Sequence, residues 1–265
     1  MKAYIDHFVE ELLSTGRYSF SRSEISARFD VGDDALRQSL HRLARAGKIQ
    51  PLRGGFYVIV PPEYKSRGML PPEMIIDDLM RHIGRTYYVG LLSASALHGA
   101  AHQQPQSFAT IISKPSIRSI QVQGLNLVFP VKSVLPSMGI EKRKSPSGYF
   151  ELSSPELTAI DLLIYYRQCG GVAAVVPVLE ELIELMDGVR LARMIGVDIH
   201  TAPVQRLGFI LDVVLGEGEL GAAVMSVLEK RDYFHIPLVP GVKNGNCPID
   251  SKWKINVNAD LEDEL

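Results

Sequence analysis

Between Phe20 and Tyr57 the sequence is punctuated so densely that few folds accommodate it. Ser21 and Glu24 have the Ser-x-x-Glu spacing of a capping box. Phe20 and Ile25 occupy the flanking positions of a hydrophobic staple, so a helix starts at Ser21. The pattern breaks at Val31-Gly32, after which Asp33 and Asp34 place negative charge in the first turn of a second helix, where the macrodipole favours it. In that helix Leu36, Leu40, Leu43 and Ala44 recur at i, i+4, i+7 and i+8 as one apolar stripe. Gln38, His41 and Arg45 fall on the opposite face, flanked by Arg37 and Arg42. Gly47 suits a helix end, and the runs from Lys48 to Leu52 and from Phe56 to Val60 alternate about Arg53-Gly54-Gly55, as a β-hairpin with Arg53 at its tip. Ile5, Phe8, Val9, Leu12 and Leu13 add a preceding helix that ends before Gly16. Three helices and a terminal hairpin make a winged helix-turn-helix.

Charge singles out the same stretch. Arg17 to Arg53 holds eight basic residues against four acidic ones, a net +4, while the whole chain carries −2, leaving −6 for the remainder. A basic module on an otherwise acidic chain fits an anionic polymer met by one part only. The groove dimensions of a duplex admit a helix, so Arg37, Gln38, His41 and Arg45 are placed to reach base edges, with Ser21, Arg22 and Arg53 addressing phosphate and Arg42 at the flank. The bland alternatives are a solvated helix face or a winged helix that contacts protein.

The remaining sequence supports an α+β chain. Four prolines and a glycine between Pro61 and Pro72 mark a semi-rigid linker, which divides a DNA-binding module at 1–60 from a larger mixed α/β domain at 73–265. That domain reads as strand-rich over 73–152, helical over 153–232 and finished by terminal strands over 233–258. Helices are expected over 73–82 and 89–97. Strands are expected at 108–112, 119–122, 125–129 and 149–152, and helices again at 155–167, 173–186, 189–195, 204–215 and 220–230. No apolar run approaches the roughly 18–20 residues of a membrane span. Charges within Met1 to His7 argue against a secretory signal, and two isolated cysteines, Cys169 and Cys247, fit a reducing compartment, so a cytoplasmic protein is expected.

Motifs for chemistry are weak. Gly216-Glu217-Gly218-Glu219-Leu220-Gly221 matches G-x-G-x-x-G but follows a helix and carries two glutamates where phosphate would lie, so it reads as a helix-to-helix turn. His98 and His102 have metal-compatible spacing without a third ligand nearby. Ser93 and Ser95 have no placeable His or Asp partner, and Trp253 reads as core. No catalytic, cofactor or metal set emerges, and an enzyme is disfavoured.

Four segments carry a resemblance. Tyr87 to Gly99 is similar to a "Y-V-S-x-x-S-A-L-x-x-H-G" segment, and Ser154 to Leu162 to an "S-P-E-x-T-x-x-D-L" helix. Gln205 to Leu211 is similar to an "R-R-L-G-Y-L-L" helix, and Ser251 to Val257 to a C-terminal strand. In this order, behind a winged helix, they resemble the AbiEi family, the antitoxins of type IV abortive-infection systems. Gly90 departs from the usual serine, and the wing has few basic residues. The resemblance implies a cytoplasmic antitoxin that opposes a nucleotidyltransferase toxin encoded nearby. It also implies repression of its own operon at inverted repeats in double-stranded DNA, a phage-defence role, no cofactor and no membrane. A ligand-responsive repressor without a toxin partner is the alternative that the residues leave open.

Overall fold

The computed structural model describes residues 3–100, 104–196, 199–243 and 245–261. The chain divides into two compact units. The first comprises Met1–Val89, Gln106–Leu135 and Lys142–Glu151, and the second comprises Gly90–Pro105, Pro136–Glu141 and Leu152–Leu265.

The first unit opens with α1 (Ala3–Ser14), β1 (Ser19–Ser21), α2 (Arg22–Arg28), α3 (Asp33–Arg45), β2 (Ile49–Pro51) and β3 (Phe56–Ile59). Ser21 caps α2 as its spacing requires, its hydroxyl accepting the Glu24 amide at 3.1 Å. Glu24 does not complete the box; its carboxylate takes the Arg17 guanidinium instead. The staple residues Phe20 and Ile25 join Ile5, Phe8, Leu36, Leu40 and Leu43 in one buried cluster. β1 is an addition to the sequence reading: it pairs antiparallel with β3, which pairs with β2, giving a three-stranded sheet in the order β1-β3-β2. On β3, Tyr57 and Ile59 face the helical cluster, Tyr57 stacked on Phe20 at 5.3 Å. The alternate residues Phe56, Val58 and Val60 lie outside that cluster yet are also buried. Both faces of the wing sheet are therefore covered.

The same unit continues without a break at the proline-rich stretch. Residues 61–72 are a pair of 3₁₀ turns, Pro62–Tyr64 and the start of Pro72–Met74, with Met69 and Leu70 buried between them. Where a semi-rigid linker is expected at 61–72, the stretch packs within the first unit. Next come α4 (Ile76–Ile83), β4 (Tyr87–Val89) and the strands β5 (Phe108–Ser113), β6 (Ile120–Val122), β7 (Leu125–Val128) and β8 (Val131–Lys132), then β9 (Ile140–Ser145) and β10 (Gly148–Ser153). They form a mixed sheet in the order β6-β7-β5-β4-β10-β9, with β8 beside β5. The β6–β7 hairpin turns at Gln123-Gly124, both at positive φ, the geometry that the dipeptide suggested.

The second unit is mostly helical: α5 (Leu91–His98), α6 (Pro155–Ile164), α7 (Val172–Leu182), α8 (Gly188–Met194), α9 (Thr201–Phe209) running into a π-helical turn (Ile210–Val214), and α10 (Gly218–Leu228). The expected helix at 89–97 begins later because Tyr87, Tyr88 and Val89 are strand, pairing with Ile112, Ile111 and Thr110. A small sheet, β11 (Ile236–Pro237), β13 (Ile255–Asn256) and β12 (Ile249–Asp250), closes the unit. Gly216, at φ +73, turns the chain from the π segment into α10, as the helix-to-helix reading requires.

Candidate nucleic-acid interface

The feature on which a nucleic-acid reading depends is α3. Leu36, Leu40 and Leu43 are buried to 2% exposure or less and fix the helix against α1 and α2. That rotation leaves Arg37, Gln38, His41 and Arg45 exposed on the other side. Among the described residues, the side chains of Gln38, His41 and Arg45 make no hydrogen bond or ion pair. Arg37 meets Asp34 at 3.0 Å, with both side chains more than 70% exposed, a pairing too solvated to hold the guanidinium against a phosphate or a guanine.

The other residues singled out by sequence are placed differently. Arg42 is turned toward α1, 3.5 Å from Asp6, whose carboxylate also takes Lys48 at 2.8 Å. Arg22 meets Asp33 at 2.9 Å, and its amide donates to the Gly55 carbonyl at 2.8 Å, joining α2 to the wing. The Ser21 hydroxyl is committed to its cap. Arg53 is half-buried and donates to the Arg118 carbonyl at 3.0 Å, while the Gly54 carbonyl meets His82 Nε2 at 3.0 Å. The structure therefore gathers Arg37, Gln38, His41 and Arg45 on one open face and sets Ser21, Arg22 and Arg53 at the wing side. Arg118, brought beside the wing tip from 65 residues away, was invisible to sequence reasoning because no local pattern reports such a neighbour.

Charge follows the compact units more closely than it follows the sequence. The first unit has 19 basic residues against 12 acidic, net +7; the second has 9 against 18, net −9. Field lines from a surface so divided favour a polyanion at the first unit alone.

A family model described as the AbiEi antitoxin C-terminal domain matches residues 88–213. The chain carries an AbiEi antitoxin C-terminal domain. That domain is of the antitoxin kind found in toxin–antitoxin systems. The fold is shared with the RV2827C protein from Mycobacterium tuberculosis, at TM-score 0.67 and 16% identity over 94% of this chain and 89% of that one. No curated protein gives a significant match.

Within the matched region Ser154, Glu156 and His98, which carry part of the resemblance, bind to their own fold. Ser154 caps α6, accepting from the Leu157 amide, and its hydroxyl donates to Glu156. Glu156 is fully buried, accepts the Asp187 amide at 3.1 Å and lies 3.5 Å from Arg190. The His98 ring nitrogen meets the Ser153 carbonyl at 2.7 Å, and α5 ends at Gly99; His102 lies outside the described residues. Burial pushes the Cys169 thiol up to about 12, which leaves it protonated and unreactive. Among the described residues no three His, Cys, Asp or Glu side chains could hold a metal ion, and no helix is long and apolar enough to cross a membrane.

Proposed function

We propose that this chain is an antitoxin that represses its own operon by laying α3 in the major groove of double-stranded DNA at inverted repeats, and that it counteracts a nucleotidyltransferase toxin encoded beside it. The observation that carries the DNA half is the open cationic face of α3 on a helix whose opposite stripe is leucine core. Arg37 and Arg45 have the fork that pairs with guanine O6 and N7, and Gln38 the amide that pairs with adenine. Ser21, Arg22 and Arg53 at the wing side, with Arg42 at the flank beside Asp6, would supply the phosphate contacts that orient a recognition helix. The AbiEi domain supports the toxin half, with the module at 1–60 as reader and the chain from 73 onward as antitoxin.

The test is fluorescence anisotropy with a duplex taken from immediately upstream of the coding sequence. Log affinity should fall with log salt at a slope of about −3 to −5, as expected when four or five phosphate contacts release counterions. Arg37→Ala and Arg45→Ala should each weaken binding about tenfold, a loss of roughly 1–3 kcal/mol in base readout. A salt-insensitive interaction overturns the proposal. Co-expression with the neighbouring gene, scored by growth, tests the toxin half.

A second reading keeps the DNA half and replaces the toxin by a small ligand. It is favoured by an open cleft of about 690 Å³ in the second unit, lined by Phe209, Leu238, Asn246, Cys247 and Asn258, a volume in the range of ligand pockets. Growth rescue by co-expression excludes it as the sole role.

A further inference from the structure

We infer that the loop between β5 and β6, through Lys114 and Arg118, continues the wing as a second phosphate-binding surface. The duplex is then gripped by the strand-rich part of the first unit as well as by α3. The inference rests on the DNA-binding proposal above.

The wing by itself is poor in charge. Arg53 is the one cation between β2 and β3, and its guanidinium is engaged with the Arg118 main-chain carbonyl. That bond brings the tip of the hairpin and the loop Lys114–Ser119 side by side. The arrangement is fixed from several directions. His82 meets the Gly54 carbonyl at 3.0 Å and lies 5.3 Å from the Phe56 ring, and Arg85 reaches the Lys114 carbonyl at 3.4 Å at the base of the loop.

The loop presents Lys114, Ser116, Arg118 and Ser119 to solvent, with Ile117 half-buried beneath them. Among the described residues neither the Lys114 ammonium nor the Arg118 guanidinium has a hydrogen-bond or ion-pair partner. Two free cations interleaved with hydroxyls are the donor set that phosphate takes, whereas a protein partner would call for an apolar anchor at the centre. Charge points the same way: the segments 106–135 and 142–151, which bring the sheet into the first unit, hold six basic residues and one acidic, net +5. The sheet thus supplies the cations that the short wing lacks.

The test uses the full chain with the upstream duplex and an unrelated duplex of the same length. Two double substitutions are compared, Lys114→Glu with Arg118→Glu, and Lys114→Gln with Arg118→Gln. Because Arg118 holds the wing through its carbonyl, both should keep the wild-type melting temperature. The glutamate pair should bind both duplexes about tenfold or more weakly, and the glutamine pair should shorten the salt slope by about two, one for each lost phosphate contact. If the glutamate pair misfolds, the glutamine pair decides. Wild-type affinity and slope in the glutamine pair overturn the inference. So does a loss confined to the upstream duplex, which would signify base reading. If Arg37→Ala weakens binding and the loop pairs do not, the inference fails and the proposed function stands. If the wild-type chain binds neither duplex, both fail.

Discussion

Gly208 on α9 lies flat against the indole of Trp253: a Cβ built there would stand 2.0 Å from the ring. The helix and the C-terminal strand segment approach this closely because nothing projects between them. The contact is then locked by polar bonds. Gln205 donates to the Trp253 carbonyl at 3.0 Å, Arg206 to the Leu238 carbonyl at 3.0 Å, and the indole N–H to Asp212 at 2.8 Å. Two of the segments that resemble the antitoxin family therefore meet each other, and their shared role is to close the second unit.

Gly208→Ala should be costly out of proportion to one methyl group. The indole is fully buried and held at its nitrogen, so it has no room to retreat, and overpacking of this kind costs about 3 kcal/mol. Urea denaturation of the variant measures the loss; a change under about 1 kcal/mol would mean that the ring repacks freely.

Asp212 gives the second unit an acid-sensitive joint. Burial pushes its carboxyl up, but the hydrogen bonds from Lys252 at 2.7 Å and Trp253 outweigh that and hold it below the ordinary value of 3.8. A carboxylate depressed in the folded state contributes stability that is complete above the unfolded value and is lost as pH falls through the folded one. Asp212→Asn should therefore lower the melting temperature at neutral pH, and the gap to wild type should shrink as the pH drops below about 4. A gap that stays constant with pH would refute the account.

Ser21→Ala removes the hydroxyl that accepts the Glu24 amide. The expected cost is about 1 kcal/mol, read as a lower denaturation midpoint with helix content otherwise preserved.

The winged module should not be self-sufficient. Phe56, Val58 and Val60 are buried on the face of the wing sheet turned away from the helical cluster, and Ser19 donates to Asp78 on α4 at 2.6 Å. Exposing three such side chains forfeits about 1.5–3 kcal/mol each, as much as the entire stability of many small domains. A fragment of residues 1–60 should unfold at lower urea than the same residues in the whole chain. Equal midpoints would show that the wing's outer face contributes nothing.

How far the sequence went depends on how local the determining interactions are. α2 and α3 were readable because capping, staple and leucine spacing act within one or two turns. The helices at 155–164 and 218–228 were readable for the same reason. β1 was hidden, since Ser19, Phe20 and Ser21 become a strand only by pairing with Val58, Tyr57 and Phe56. β9 was hidden because Glu141, Lys142, Arg143 and Lys144 are all exposed on an edge strand and show no apolar alternation.

By itself the sequence determined the three helices and the β2–β3 hairpin of the N-terminal module, the rotation of α3 that buries leucine and frees Arg37, Gln38, His41 and Arg45, and the likeness to the antitoxin family. Each follows from periodicity or from contiguous residues. Tertiary structure alone decided that the proline-rich stretch is packed, that Arg42 turns to Asp6 and that Arg53 is tied to the Arg118 carbonyl. Those outcomes depend on which distant surfaces must be covered once the hydrophobic faces meet, and chain order carries no record of that.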